Sequence, residues 1–259
     1  MGAHSIFFWI LIGIMGIGVL QSLAIGGLFF FKRSGEKRAN YFYGILLITI
    51  GLTLLHNILY VTGIYEHFPK FNFLPIYFTL AFPILLFYYV KLSLYPNYRF
   101  RSSDVKHFIF PIGQWLFFIG IFLTPVSFKG ELGRYFYNPF YGAFEQFIYL
   151  SSFFAYMYFA YRYIRHRQKQ VLDHKKAKQI AYLRTLLVVL FVLFGIHTCF
   201  VVTDFVSFEF LNINLRSLKI YAALGALSFA ALVFWLGTYG FQVLFWGRRV
   251  FGTKVRNEK

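Results

Sequence analysis

Residues 185–208 read TLLVVLFVLFGIHTCFVVTDFVSF, a run of 24 residues with one charged side chain, Asp204. At about 1.5 Å of rise per residue, such a run as a helix spans about 36 Å, enough for a hydrocarbon core of about 30 Å. Its core, Leu186–Gly195, does not alternate apolar and polar residues, so it cannot be a barrel strand with one wet face. A helix satisfies its own backbone where lipid offers no partner. This segment is therefore read as a membrane-spanning helix.

The same reading applies to six more windows: Ile6–Phe31, Tyr41–Ile64, Leu74–Leu92, His107–Val126, Phe140–Tyr163 and Ile220–Trp246. They account for a composition that is 59% apolar, 24% aromatic and only 14% charged over 259 residues. An ordinary soluble domain is about half apolar and about a quarter charged. The longest stretch between windows, Ile164–Arg184, has 21 residues, too few for a separate catalytic or DNA-reading domain of about 50 or more. The first window is followed by Lys32-Arg33 and not by a small-residue cleavage site, so it reads as a retained span. The expected fold is all-α: residues 1–259 form one transmembrane domain, a bundle of seven helices.

Charge sets the expected orientation. The segments after spans one, three, five and seven, counted with Lys91 and Arg162 at the ends of spans three and five, carry 21 of the 26 Lys and Arg residues; the alternate segments carry Lys70, Lys129, Arg134, Arg216 and Lys219. Basic loops stay in the cytoplasm, so the amino terminus is expected outside and the carboxyl terminus inside, in a bacterial inner membrane. The net charge of +17 lies with the basic set, where it attracts anionic lipid headgroups. It is not gathered into a groove with interleaved aromatics, so nucleic acid is not an expected partner.

Polar residues within the spans are the candidate sites, because each is costly there. They are His56 and Asn57 in span two, Glu145 and Gln146 in span five, and His197 and Asp204 in span six. If those spans adjoin, the six could line a ligand pocket open to the outside. Otherwise the acids snorkel outward and the histidines bond to nearby backbone. Lys91 reads as a snorkelling cation, and Gln21 and Gln114 as interhelical hydrogen-bond partners. Pro83, in the middle of span three, predicts a helix kink. Ala222, Ala226 and Ala230, with Gly225 beside them, predict a packing face in the last span.

No lysine deep in the last span could carry a retinal Schiff base, and no paired histidines stand four apart on a helix to hold a metal. There is no G-x-S-x-G elbow, and Cys199 is the only cysteine. The reading predicts no enzyme, no metal and no cofactor.

Pro83, then Tyr88-Tyr89-Val90-Lys91-Leu92, a short basic loop, His107-Phe108 and Pro111 together resemble the membrane-embedded, multi-span sensor region of bacterial AraC-type regulators. That resemblance implies a sensor module, here without the helix-turn-helix domain, since 13 residues follow Trp246. The expected function is a non-enzymatic inner-membrane module, sensor-like or docked in a larger assembly, signalling through other membrane or cytoplasmic proteins. The alternative is a small-molecule or lipid transporter that uses the outward-facing polar groups.

Overall fold

The computed structural model describes residues 3–32, 35–171 and 173–245, and the elements among them are all helical. Ten α-helices follow one another: α1 Ala3–Phe31, α2 Lys37–Val61, α3 Ile64–His67, α4 Ala81–Leu94, α5 Ser102–Val105, α6 Ile109–Phe122, α7 Val126–Leu132, α8 Gly142–Gln168, α9 His174–Leu211 and α10 Lys219–Phe245. A π-helical run, Gly133–Tyr141, leads directly into α8. Trp246, Arg33 and the basic tail residues Arg248, Arg249, Lys254, Arg256 and Lys259 lie outside the described residues.

Five helical segments are long and apolar enough to cross a membrane: Ile6–Phe31, Lys37–Val61, Ser102–Phe122, Lys176–Phe208 and Lys219–Phe245. Large apolar side chains cover the outside of the bundle, Leu20 and Phe147 among the most exposed. Water would penalise such a surface, whereas lipid is its natural solvent. The chain is a multi-pass membrane protein.

Two of the seven expected windows take a different form. Within Leu74–Leu92, residues 74–80 are not helical, and α4 is only 14 residues long, about 21 Å. Pro83 is the third residue of α4, within its first turn, where a missing N–H breaks no intrahelical bond. The predicted kink is thus a helix start. The window Phe140–Tyr163 becomes α8, long enough to span but too rich in tyrosine and arginine to match the other five in apolarity.

Antiparallel α1 and α2 meet through small residues. A side chain on Gly44 would come within 2.9 Å of the Gly26 carbonyl, and one on Gly26 within 3.0 Å of the Gly44 carbonyl. Helix α10 closes on the same pair, with Gly240 against Tyr43 and Gly237 against Gln21. Ala226 and Ala230 are buried as the alanine spacing predicted, but the close approach occurs about two to four turns further along, at those glycines. On the other side, α8 packs on α9, with Phe153 and Phe194 stacked at 3.4 Å between ring centroids.

At the centre lies α4, with every residue except Ser93 buried. The basic segments surround its carboxyl-terminal end. Arg38 of α2 donates to the carbonyls of Tyr98 and Pro96, Gln179 of α9 donates to Ser93, and the Arg167 guanidinium of α8 lies over Tyr95. This is the basic end of the bundle. At the opposite end, Lys129 donates to the Lys70 carbonyl at 2.8 Å.

Candidate functional site

The non-helical stretch before α4 leaves backbone donors inside the bundle, and side chains from neighbouring helices take them up. Thr53 of α2 accepts the Phe78 N–H at 2.9 Å, and the Gln114 carbonyl of α6 accepts the Leu80 N–H at 3.2 Å. The Gln114 amide nitrogen donates to Thr79 Oγ1 at 2.9 Å and to Glu145 Oε1. Both amide protons and the carbonyl are thereby used, which sets the orientation of the side chain. The Tyr137 hydroxyl donates to Glu145 Oε2 at 3.4 Å. Thr53, Thr79, Gln114 and Glu145 are all buried, each 6% exposed or less. The Glu145 carboxyl is therefore held at the start of a half-length helix by neutral donors, and no salt bridge reaches it among the described residues.

The other expected site residues are placed separately. His56 pairs through Nδ1 with the Tyr65 hydroxyl at 2.9 Å, its ring against Tyr77. His197 pairs through Nδ1 with Ser228 Oγ at 2.9 Å, joining α9 to α10. Asp204 is buried on α9, while Asn57 and Gln146 are half-buried. Aromatic rings, not an open pocket, separate these groups: Tyr77 and Phe118 lie between His56 and Tyr137, and Tyr149 lies between α8 and His197. His56 and His197 are thus bonded to Tyr65 and Ser228, and Glu145 to Gln114 and Tyr137, in separate clusters. The Tyr149 hydroxyl, one turn from Glu145 on α8, is buried without a hydrogen-bond partner among the described residues.

A second polar cluster occupies the far end of α4. Lys91 is buried, its ammonium 3.5 Å from Asp104 Oδ1 and 3.7 Å from the centroid of the Tyr98 ring. The Asp104 carboxylate also accepts Tyr88 at 2.8 Å, Tyr98 at 2.7 Å and the Arg101 N–H at 2.7 Å. Burial and the bond to Asp104 push the Tyr98 phenol above its ordinary range, so it remains a donor at neutral pH. Phe108 stacks on Tyr88, and His107 pairs through Nδ1 with the Tyr156 hydroxyl at 2.6 Å. Lys91 does not snorkel, then; it is turned inward by a carboxylate and a cage of rings.

No family model, no curated protein and no solved structure matches this chain.

Gln114 is the interhelical partner its position predicted, but its link to Glu145 and the roles of Thr53 and Thr79 went unread. Threonines within apolar runs carry no distinguishing pattern. The Lys91 cluster did leave a trace: Tyr88 and Lys91 stand three apart on one helix face, with a lone acid, Asp104, beyond a short loop.

Proposed function

We propose that this chain is a non-enzymatic, sensor-like membrane module in which α4 couples a buried carboxyl at one end to an ion-paired cluster at the other. The observation that carries the reading is α4 itself: buried along its length, anchored by polar bonds at both ends, and entered through a non-helical segment. A packed rod of this kind has few small adjustments open to it, so a change at Glu145 is passed along the axis to the Lys91–Asp104 pair, Lys91 standing about 16 Å of helix beyond Leu80. The residues that carry the resemblance to AraC-type sensor regions, Tyr88, Lys91, His107 and Phe108, pack together at that second end, which supports the same assignment. Seven crossings, with α4 and its lead-in counted as one and α8 as another, put the basic end in the cytoplasm of a bacterial inner membrane and the amino terminus outside. Output then passes to another polypeptide through the loop of residues 95–101 and the turn at 169–170.

Hydrogen exchange of the full chain in lipid nanodiscs tests the coupling. Glu145→Gln is expected to change protection of residues 93–105 and leave α1 unchanged; unaltered exchange at 93–105 rejects the reading. Mild-detergent purification from native membranes is expected to recover a protein partner, and a solitary chain counts against the module's dependence on one.

A transporter is the second reading, favoured by the broken segment 74–80 with a buried carboxyl at the break, an arrangement that discontinuous helices use to bind substrates. It ranks below the first because the second half of the chain offers no matching break: α9 and α10 run uninterrupted for 38 and 27 residues. Glu145→Gln would abolish uptake under this reading.

A further inference from the structure

At the basic end, a cavity of about 570 Å³ opens between the end of α4, the loop after it, the end of α8 and the start of α9. Its size falls within the range of small-ligand sites, about 300–1,000 Å³. Three cations line it, Lys91, Arg167 and Lys176, and none of its described lining residues is a carboxylate. Asp104 offsets Lys91 from behind, so the excess positive charge belongs to Arg167 and Lys176. Gln179 and the Tyr95 ring add a polar edge and a flat wall, and Leu94 and Ile180 provide an apolar floor. The rim is held in place: Arg38 grips the carbonyls of Pro96 and Tyr98, and Gln179 bonds to Ser93.

We propose that this cavity binds a phosphate-bearing anion, its phosphate oxygens between Arg167 and Lys176 and its glycerol or carbon portion on the apolar floor. Guanidinium and ammonium groups are the standard partners of phosphate, and a site without acids rejects a cationic or zwitterionic headgroup. Such pockets between helices, on the face where the basic loops lie, suit an anionic phospholipid; a soluble phosphate ester offers the same chemistry. The site shares Lys91 and the loop after α4 with the proposed output end, but phosphate binding between Arg167 and Lys176 does not depend on Glu145.

Native mass spectrometry of the full chain, released from nanodiscs of phosphatidylcholine with phosphatidylglycerol, separates the sources. Wild type is expected to retain phosphatidylglycerol in preference to phosphatidylcholine. The double variant Arg167→Gln/Lys176→Gln should bind it at least about tenfold more weakly. Arg165→Gln/Arg184→Gln, which removes as much charge from a neighbouring surface, should retain it, and the charge-preserving Arg167→Lys/Lys176→Arg should restore most of the binding. In a parallel arm, thermal unfolding in lipid-free micelles is followed with glycerol 3-phosphate and with inorganic phosphate. Stabilisation there that is lost in the double variant, without lipid retention, assigns the site to a soluble phosphate. The proposal is overturned if neither probe binds, if phosphatidylcholine is held equally well, or if both double glutamine variants lose binding alike. Unfolding of each variant without additive shows whether a loss reflects the site or the fold.

Discussion

Glu145 and Asp104 are both buried acids, yet neighbouring groups treat them differently. Asp104 receives a lysine, two phenols and a backbone N–H, whereas Glu145 is met by neutral groups, the Gln114 amide, the Tyr137 phenol and the Thr79 hydroxyl. Removing one member of a buried ion pair leaves the other unmatched, at about 3–5 kcal/mol for a deep pair. Asp104 sits beside exposed residues, so Asp104→Asn is expected to cost about 2–3 kcal/mol in detergent unfolding, with Lys91→Gln/Asp104→Asn less than the sum of the single changes. At Glu145 the sign differs. Glu145→Gln can still accept from Gln114 and can never place a charge there, so stability should hold or rise while coupling is lost. Glu145→Ala strands the Gln114 amide and should lower stability by about 1–3 kcal/mol. Of these two acids, Glu145 is legible in the sequence, because an acid inside an apolar run stands out. Asp104 is not, since its partners arrive from a helix and a loop that only folding brings together.

For whole elements, α4 depends on side chains it does not own. Thr53→Val removes the acceptor of the Phe78 N–H without changing volume much, and is expected to cost about 1–3 kcal/mol by the same unfolding measurement, comparable to Gln114→Leu. The α1–α2 seam depends on the absence of side chains. Gly44→Val must displace backbone at Gly26, and about 1–3 kcal/mol or misassembly is expected; Gly13→Ala and Gly16→Ala, with open space around them, should be neutral. The lengths of α1, α2 and α10 and the apolar stretch within α9 were legible, because a continuous apolar run longer than a bilayer has few alternatives; that α9 begins eleven residues before that stretch was not. The shortening of α4 was not. Residues Leu74–Leu80 are as apolar as a span, and what keeps them out of the helix is the supply of acceptors from α2 and α6.

Over the whole molecule, the alternation of basic and neutral segments becomes a body with two chemically distinct ends, and the orientation can be checked directly. In a Cys199→Ser background, which removes the exposed native thiol, Lys70→Cys is expected to label from outside intact cells and Gln170→Cys only after permeabilisation. Labelling of both from one side would reverse or dissolve the topology proposed here. The same two-ended body explains why the expected polar pocket and the observed cavity differ in place. Rings of tyrosine and phenylalanine fill the space between Glu145, His56 and His197, whereas long basic side chains at the other end cannot close over one another.

Composition and charge order alone determined that this chain is helical, that it lies in lipid, and which segments share a side. Those are properties of transfer free energy and loop charge, which add up residue by residue. Tertiary structure decided where a helix breaks, which acid meets a lysine and where a cavity remains, because each of these depends on donors, acceptors and volume supplied by residues distant in the chain.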